Sequence, residues 1–458
     1  MTVTPVARLA RCPASAPALA WPGGAMDYGR LRARVAALAG EAAGRGAPDS
    51  PVAIISGSRI NVALGVLAAL RLGRPALPLD AARPDLEACL AACAPGAVLG
   101  DEAFAAAAAP PGATTRTLTR PAASARRCAL LVATSGTHGP ARVAMLSAAA
   151  LDAHVAASAA VLPPLAAGDR WLVCLPMTSI GALAALWRTL SAGACLVLLE
   201  RFDAESARRE MAAGVSHASV VPAMLAPLCS VAAPPPRGLR CLLSGGGALS
   251  ARGADAARAC GWPHWHGWGM TETASHVAVG LVDADWREGI VGRPLPGVAL
   301  AVDDARGRIT IGGPMLMSGY ASPGLAPGAG LLPDGRLLSG DLGEWLADGR
   351  LRMLGRADDV IVTGGVNVHP EAVEEALGPC PDVGEVAVTA RPDVRWGTVL
   401  VALYTGPTEP AALEAWARKH LPSASRPRLF RRVPALPRNA MGKLLRGELP
   451  ALLVGEDS

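Results

Sequence analysis

The chain has 458 residues, 51% of them hydrophobic, and its 43 basic and 38 acidic side chains give a formal net charge of +5. This length and apolar content predict two or more domains with a large buried core. The basic residues are mostly scattered arginines without interleaved aromatics, which argues against a dedicated nucleic-acid surface. The ten cysteines form no CxxC pair, so a zinc site is not expected and reduced thiols in the cytoplasm are favoured.

Neither a secretory signal nor a membrane span is expected. Prolines interrupt the N-terminal segment before an apolar core of adequate length forms. The apolar stretch from Ser179 to Glu200 contains Arg188 and Gly193, and it divides into a helix, a turn and the strand Ala194–Leu199. The sequence therefore predicts a cytoplasmic globular protein without a membrane span.

The first two thirds of the chain alternate β-type runs with helical segments rich in alanine and leucine. The run Pro51–Ile55 is followed by the helical segment Ile60–Leu72, and Arg170–Leu175 is followed by Ile180–Ala192. Repeated strand–helix–strand units predict mostly parallel sheets covered by helices.

The pattern changes twice in the last third of the chain. Residues 291–354 are dense in glycine and proline with short strands, which indicates a β-rich subdomain. A compact α+β tail follows, with predicted helices over Pro370–Leu377 and Glu409–His420. This tail has the usual size of a separate domain.

A loop rich in glycine and hydroxyl groups follows the apolar strand Cys128–Ala133. It reads TSGTHGPAR from Thr134 to Arg142. Glycine lets the backbone approach oxygen atoms closely, so such a loop can form a nest for a polyanion. It is not a Walker A loop, because no Lys-Ser or Lys-Thr follows Gly139. By itself the loop is equally compatible with an ordinary turn after a buried strand.

Four further motifs occur in order along the chain. They are HGWGMTET at His266–Thr273, SGDLGEW at Ser339–Trp345, GRADDVIVTGG at Gly355–Gly365 and PRNAMGKLLR at Pro437–Arg446. Together with the Thr134 loop, they resemble the adenylate-forming superfamily, which comprises acyl- and aryl-CoA ligases, adenylation domains of peptide synthetases, and luciferases. The resemblance covers nearly the whole chain, because all five motifs stand in order at matching separations.

The resemblance implies an α/β fold with a large N-terminal domain and a small C-terminal one. The large domain has two parallel-type sheets with covering helices and a β-rich subdomain, and the small mobile domain is α+β. The adenylation domain, the hinge and the C-terminal domain are expected over residues 1–354, 355–358 and 359–458. Asp358 matches the position at which the small domain pivots. A rotation there would remove Lys443 after the first half-reaction and bring the loop at Gly364 and Gly365 to the thiol tunnel for the second.

The resemblance also implies a two-step reaction. A carboxylate attacks the α-phosphorus of ATP to give an acyl-adenylate and pyrophosphate, and a thiol then attacks the acyl carbon and releases AMP. Negative charge builds on phosphoryl oxygens, so the chemistry needs fixed donors and a metal rather than a covalent nucleophile. The expected cofactors are ATP, Mg²⁺ and CoA, and the partner is a small carboxylic acid.

The motifs carry the expected site residues by resemblance. The phosphate-binding set is Thr134, Ser135, Gly136, Thr137, Gly139 and Arg142. The set around adenine and ribose is Gly245, Gly246, Gly247, Trp268, Gly269, Asp341 and Arg356. The catalytic set is Thr271 at the α-phosphate, Glu272 as the Mg²⁺ ligand, and Lys443 bridging the carboxylate and the α-phosphate.

Within the superfamily the chain most resembles the o-succinylbenzoate–CoA ligases. The supporting runs are Asp169–Pro176, Ser216–Pro222 and Leu242–Gly247. Two departures concern the acid pocket: Met177–Ile180 replace the usual aromatic and histidine, and no arginine follows Pro222 to pair with a second carboxylate. The expected substrate is therefore an aryl or short acyl acid, with o-succinylbenzoate as one candidate.

A third departure is Arg142, which stands where relatives usually have lysine. Arginine keeps the charge but replaces a compact ammonium with a planar fork. Two alternatives stay open, a stand-alone enzyme that loads an acyl group onto a carrier protein and a non-catalytic nucleotide-binding relative. The joint presence of the catalytic and ribose-binding residues argues against the second.

Overall fold

The computed structural model describes residues 5–107, 128–134, 142–230, 234–303, 305–321, 328–363, 365–393, 397–439 and 442–453. In these ranges the helices are α1 (Pro5–Leu9), α2 (Tyr28–Ala42), α3 (Arg59–Arg71), α4 (Leu86–Cys93), α5 (Asp101–Ala106), α6 (Ala148–Ala159), α7 (Ile180–Ala192), α8 (Ala204–Ala212), α9 (Leu225–Ser230), α10 (Ala251–Ala259), α11 (Pro370–Leu377) and α12 (Pro410–His420). None of the helices in the described ranges is long and apolar enough to cross a membrane.

The strands of the first half are β1 (Pro17–Trp21), β2 (Gly24–Asp27), β3 (Val52–Ile55), β4 (Ala76–Leu79), β5 (Ala97–Leu99), β6 (Cys128–Ala133), β7 (Val143–Ser147), β8 (Arg170–Val173), β9 (Cys195–Leu198) and β10 (His217–Val220). Those of the second half are β11 (Cys241–Ser244), β12 (His264–Met270), β13 (Ser275–Leu281), β14 (Ile290–Pro294), β15 (Ala299–Val302), β16 (Arg308–Gly312), β17 (Tyr320–Ala321), β18 (Leu337–Trp345), β19 (Leu351–Arg356), β20 (Ile361–Thr363), β21 (Val366–Val368), β22 (Val386–Asp393), β23 (Gly397–Tyr404) and β24 (Leu429–Arg432).

A long mixed sheet carries most of the candidate site. Its order is β15-β16-β18-β19-β14-β13-β12-β11-β10-β8-β9-β1-β2. The strands from β1 through β9, β8, β10 and β11 to β12 are parallel neighbours, whereas pairing from β12 to β15 is antiparallel. The predicted β-rich region thus continues the parallel sheet, because β14 pairs with both β13 and β19.

A second sheet of six strands has the order β17-β7-β6-β4-β3-β5. Its strands β5, β3, β4 and β6 are parallel, as the alternating pattern predicts, and β7 returns antiparallel to β6 as a hairpin. The stretch Ser179–Glu200 divides as expected into α7, a left-handed turn at Gly193 with φ of +75°, and β9. These features confirm the predicted α/β class.

The C-terminal region has its own small sheet and apolar cores. Strands β22, β23 and β24 form this sheet, and its two faces pack against separate clusters of side chains. One cluster includes Val373 and Leu377 of α11 with Leu413 of α12, and the other includes Leu436 and Leu449. The predicted helices of this region are present with nearly the expected bounds.

Candidate active site

The glycine turn Gly245–Gly247 begins where β11 ends, beside the parallel strand β12. A Cβ atom built on Gly245 would lie 3.0 Å from the carbonyl oxygen of Gly267, and Gly246 has φ of +77°. Both positions favour glycine, since a side chain would crowd β12 at the first and strain the backbone at the second. The turn lies at the carboxyl edge of the parallel strands, where ligands bind in open α/β sheets.

Asp341 connects two of the predicted nucleotide-binding side chains. Its Oδ2 accepts a hydrogen bond from Nε1 of Trp268 at 2.8 Å, and its Oδ1 accepts one from Arg356 at 3.0 Å. Asp341 and Arg356 face each other on the paired strands β18 and β19. A carboxylate oxygen has two lone pairs, so Asp341 keeps acceptor capacity for ribose hydroxyls. Their roles toward a nucleotide remain predictions, but the structure brings the three side chains together.

The turn Thr271–Thr273 connects β12 to β13 as one 3₁₀ turn. The hydroxyl of Thr273 donates to the carbonyl oxygen of Ser275 at 2.7 Å, which closes the turn from inside. Ala274 and Ser275 have φ of 56° and 131°, conformations that side-chain-bearing residues rarely adopt. The first two residues of the turn, predicted to serve the α-phosphate and the metal, are half-buried.

Tyr320 joins this turn to the base of the Thr134 loop, although it belongs to none of the five sequence motifs. Its hydroxyl donates to Oε1 of Glu272 at 2.5 Å, while the guanidinium of Arg142 lies 5.4 Å from its ring centroid. Burial and then the Glu272 carboxylate raise the pKa of Tyr320, so the phenol remains a donor. The backbone N–H of Thr134 donates to the carbonyl oxygen of Arg142 at 2.8 Å and closes the loop at its base.

Several predicted residues lie outside the described part of the chain. They are Ser135, Gly136, Thr137 and Gly139 of the loop, and Gly364 of the C-terminal region. The neighbouring Gly365 has φ of +80° and directly precedes β21, the return strand of the β20–β21 hairpin. In the Thr134 loop, the described residues are its two ends, which converge with Tyr320 and Glu272.

Lys443 lies in a turn that Asn439 closes. The backbone N–H of Lys443 donates to Oδ1 of Asn439 at 3.0 Å, and the N–H of Asn439 donates to the Lys443 carbonyl at 3.0 Å. Gly442 precedes the lysine with φ of +71°, and a Cβ atom there would lie 3.4 Å from side-chain atoms of Val221 and Ala223. The turn therefore rests on the segment that follows β10.

The Lys443 ammonium lies close enough to Asp341 and Arg356 to interact with both. Burial and then the charge of Arg356 lower the pKa of Lys443, whereas Asp341 raises it. The lysine is half-buried, and Asp341, the carboxylate predicted to bind ribose, partly offsets the effects of burial and of Arg356 on its charge. The C-terminal turn and the β18–β19 strands thus meet at one site.

The predicted hinge residue Asp358 lies in the 3₁₀ turn Ala357–Asp359 directly after β19. Its Oδ2 accepts from Arg356 at 3.3 Å, so one arginine contacts both Asp341 and Asp358. The next residue, Asp359, lies 3.4 Å from Nε of Arg446, three residues after Lys443. The turn after β19 is therefore linked to the strand before it and to the C-terminal segment.

The donor set fits Mg²⁺ bound together with phosphates. Within the described residues, no three His, Cys, Asp or Glu side chains form a group that could hold a metal ion. Mg²⁺ commonly keeps several waters and binds one or two carboxylates plus substrate phosphates. Glu272 supplies one such carboxylate, oriented by Tyr320 and close to the base of the Thr134 loop.

The fold and this gathering of side chains define a nucleotide-binding α/β enzyme with a small C-terminal unit. Residues 6–321 match the AMP-binding enzyme family, and residues 372–443 match the AMP-binding enzyme C-terminal domain. The chain belongs to the AMP-binding enzyme family. This result confirms the superfamily predicted from the five motifs.

Relatives and solved structures agree with this assignment. A 2-succinylbenzoate–CoA ligase from Bacillus licheniformis is 34% identical over 333 residues, covering 70% of this chain and 69% of the relative. The ligase of that name from Lactococcus lactis is 31% identical over 330 residues, covering 70% and 71%. The structure of o-succinylbenzoate CoA synthetase (MenE) from Bacillus subtilis with its acyl-adenylate intermediate has a TM-score of 0.86, 26% identity and 97% coverage of both chains.

A second solved structure shares the fold. ATP-bound MatB from Rhodopseudomonas palustris has a TM-score of 0.86, 25% identity and 99% coverage of both chains. The succinylbenzoate relatives are named for CoA as the acceptor, which gives the carrier-protein alternative no support.

Proposed function

We propose that the chain is an ATP-dependent carboxylic acid–CoA ligase that forms AMP. It joins an acid to ATP as an acyl-adenylate with release of pyrophosphate, and CoA then displaces AMP. The observation that carries this proposal is the position of Lys443 beside the Trp268–Asp341–Arg356 group. An ammonium close to a nucleotide-binding carboxylate can offset charge where a carboxylate and a phosphate meet.

Lys443 is also notable for its residue type. The chain has 43 basic residues, and only Lys419 and Lys443 among them are lysines. A composition so biased toward arginine favours replacement of lysine wherever a generic positive charge suffices. A lysine kept in this turn indicates a requirement for the compact ammonium, which can approach two anions at once.

The remaining roles in this proposal are those that the resemblance implies. Trp268 and the glycine turn Gly245–Gly247 would lie along adenine, and Asp341 and Arg356 would bind ribose. Glu272 would hold Mg²⁺, which neutralises charge on the phosphates, while Thr271 donates to the α-phosphate. The domain boundary near residue 355 and the pivot at Asp358 are part of this proposal. So is the cytoplasmic location, which the ten free thiols support.

Carboxylate-dependent ATP–pyrophosphate exchange tests the proposal. Exchange is expected with one or a few aryl, dicarboxylic or short acyl acids, and CoA added to the active acid should yield the acyl-CoA and AMP. A folded protein without exchange for any acid on the panel would contradict the ligase function. AMP release without acyl-CoA would instead point to a different acceptor thiol.

The substitution Lys443→Ala tests the lysine. We expect exchange to fall by roughly 10²- to 10³-fold, the usual effect of removing one electrostatic donor, while thioester formation from preformed acyl-adenylate persists. Lys419→Ala is the matched control, because Lys419 is the other lysine and is exposed on α12. Equal loss of both half-reactions in Lys443→Ala would be inconsistent with its proposed role.

A further inference from the structure

Two cysteines from neighbouring helices lie close together near the start of β12. Cys229 is on α9, and Cys260 directly follows α10. Sγ of Cys260 is 4.0 Å from the carbonyl oxygen of Cys229, and the two thiols are close enough to interact directly. Both are half-buried free thiols. The fold thus brings together two thiols that are 31 positions apart in the sequence.

A tryptophan and an arginine flank the Cys229 thiol. Trp262 is 5% exposed and lies beside this thiol, and its indole N–H finds no hydrogen-bond partner among the described residues. The guanidinium of Arg208 lies 5.2 Å from the Trp262 ring centroid and donates to the Leu228 carbonyl. Burial and then Cys260 raise the pKa of Cys229 to about 11, whereas Trp262 and Arg208 lower it. A donor and a cation therefore favour the thiolate where burial otherwise keeps the thiol protonated.

The helices that carry these thiols begin beside the candidate active site. The helix α9 continues the 3₁₀ turn Pro222–Met224 and has six residues, so it is about 9 Å long. Side-chain atoms of Val221 and Ala223 would lie 3.4 Å from a Cβ atom on Gly442, in the turn that carries the catalytic lysine. The helix α10 begins four residues after the glycine turn Gly245–Gly247. A movement of α9 would therefore reach the support of the lysine turn.

A bond between the two sulfur atoms requires such a movement. An S–S bond is about 2.05 Å long, whereas two sulfur atoms in non-bonded contact are about 4 Å apart. The sulfurs must therefore approach each other by roughly 2 Å. Side-chain rotation supplies part of this approach, and α9, the shorter helix, supplies the rest. A misplacement of about 1 Å can reduce a reaction rate by up to about 100-fold.

We propose that Cys229 and Cys260 form a reversible disulfide when a small disulfide of the glutathione class oxidises them, and that this bond slows adenylation. One cysteine thiolate attacks the small disulfide, forms a mixed disulfide and releases one small thiol. The second cysteine attacks the protein sulfur of that bond and releases the other small thiol. The cysteines lose two electrons, which reduce the small disulfide, and their two protons end on the released thiols. In the proposed cytoplasmic location such a bond is transient.

Mass spectrometry of unreduced peptides tests the disulfide in the full chain after incubation with oxidised glutathione. We expect a peptide pair joined through Cys229 and Cys260, which dithiothreitol separates. Cys93→Ser is the matched control, because Cys93 is half-buried on α4 and burial raises its pKa to about 12. The joined pair should persist in that variant. Glutathione bound to either thiol without a joined pair, or no reaction at either thiol, would overturn the inference.

ATP–pyrophosphate exchange tests the effect on adenylation. Exchange by the oxidised wild type should fall roughly 10- to 100-fold and recover with dithiothreitol. Cys229→Ser and Cys260→Ser each remove the bond, so either variant that folds should keep its exchange under oxidation. Unchanged exchange in the joined protein, or an equal loss in the serine variants, would overturn the inference.

The inference goes beyond the proposed ligase function and uses it only for this second readout. A folded, reduced protein without exchange for any acid would contradict the ligase function itself. The peptide map does not depend on activity, so it still decides whether the disulfide forms.

Discussion

Tyr320 shows how one side chain can orient a metal ligand from a distant part of the sequence. It donates to Oε1 of Glu272 and lies under the guanidinium of Arg142, so one oxygen of the carboxylate is fixed. The hydroxyl stays protonated because burial raises its pKa. An oriented carboxylate loses less conformational entropy when it binds a cation.

The substitution Tyr320→Phe removes this hydrogen bond and keeps the ring under Arg142. A hydrogen bond to a charged group contributes about 1.5–3 kcal/mol, so we expect the Mg²⁺ concentration for half-maximal exchange to rise about tenfold. Titration of Mg²⁺ in the exchange assay measures this. Tyr404→Phe is the control, because its hydroxyl donates to the Thr408 carbonyl in the small sheet. An unchanged Mg²⁺ requirement in Tyr320→Phe would argue against Glu272 as the ligand.

The sequence motifs point to residues within them and not to residues elsewhere in the chain that contact them. Glu272 and Asp341 stand beside glycines and hydroxyls in recognisable runs. Tyr320 is 48 positions from Glu272 and meets it through contacts without a local sequence signature, the pairing of β17 with β7 and a hydrogen bond from the Met317 N–H to the Glu272 carbonyl. Arg188 reads as an interruption of an apolar helix, and only packing shows that its guanidinium stacks on the Trp171 ring.

At the level of elements, the turn Asn439–Lys443 determines the position of the Lys443 side chain. Two backbone-closing hydrogen bonds join its ends, and Gly442 takes a left-handed conformation against Val221 and Ala223. A residue with a Cβ atom would be strained there by about 1–2 kcal/mol. The turn therefore couples the position of Lys443 to the segment after β10.

The substitution Gly442→Ala should reduce adenylation more than thioester formation. The turn would shift to relieve this strain and would displace Lys443. We therefore expect roughly a tenfold loss of ATP–pyrophosphate exchange and a smaller loss in the second half-reaction. Gly397→Ala is the matched control, since Gly397 has a similar φ of +69° in the same region and open space around it. Similar losses in both half-reactions, or in both variants, would show that the turn has no special role in adenylation.

Elements with strong local patterns were predicted closely, and so was the parallel pairing in the first two thirds of the chain, whereas the order of the strands in the long sheet was not. The strand Cys128–Ala133 and the helix Pro370–Leu377 have the predicted bounds. The β-rich region was expected as a subdomain, yet its strands extend the long sheet through β14. Strand pairing depends on contacts between distant segments, whereas apolar periodicity reports only which face is buried.

At the level of the whole molecule, Glu371 is a half-buried carboxyl where the C-terminal region meets β19. A Cβ atom built on Gly355 would lie 2.5 Å from its Oε2, which has no hydrogen-bond partner. Three charged groups face it, Arg446 at 3.1 Å, Glu374 beside it on α11, and Asp359 from the turn after β19. Burial raises the pKa of Glu371 from its ordinary 4.5 to about 7, although Arg446 opposes the shift.

This shift predicts how stability depends on pH. Between pH 4.5 and about 7 the unfolded chain loses the Glu371 proton while the folded protein keeps it, so folding becomes less favourable as pH rises. The variant Glu371→Gln has no titrating group at this position, so this contribution to the pH dependence of stability is absent. Relative to the wild type, the variant should gain about 2 kcal/mol of stability between pH 5 and pH 8. Chemical denaturation at both values measures the difference.

The comparison isolates this contact because the two proteins share every other titrating group. Arg446 keeps both hydrogen bonds to Glu374 at 2.8 Å, so the substitution leaves the neighbouring ion pair in place. Glu414→Gln, which affects an exposed pair with Arg418 on α12, should follow the wild-type curve. A Glu371→Gln curve parallel to the wild type would mean that this carboxyl ionises freely in the folded protein. The contact between Glu371 and β19 would then be accessible to water.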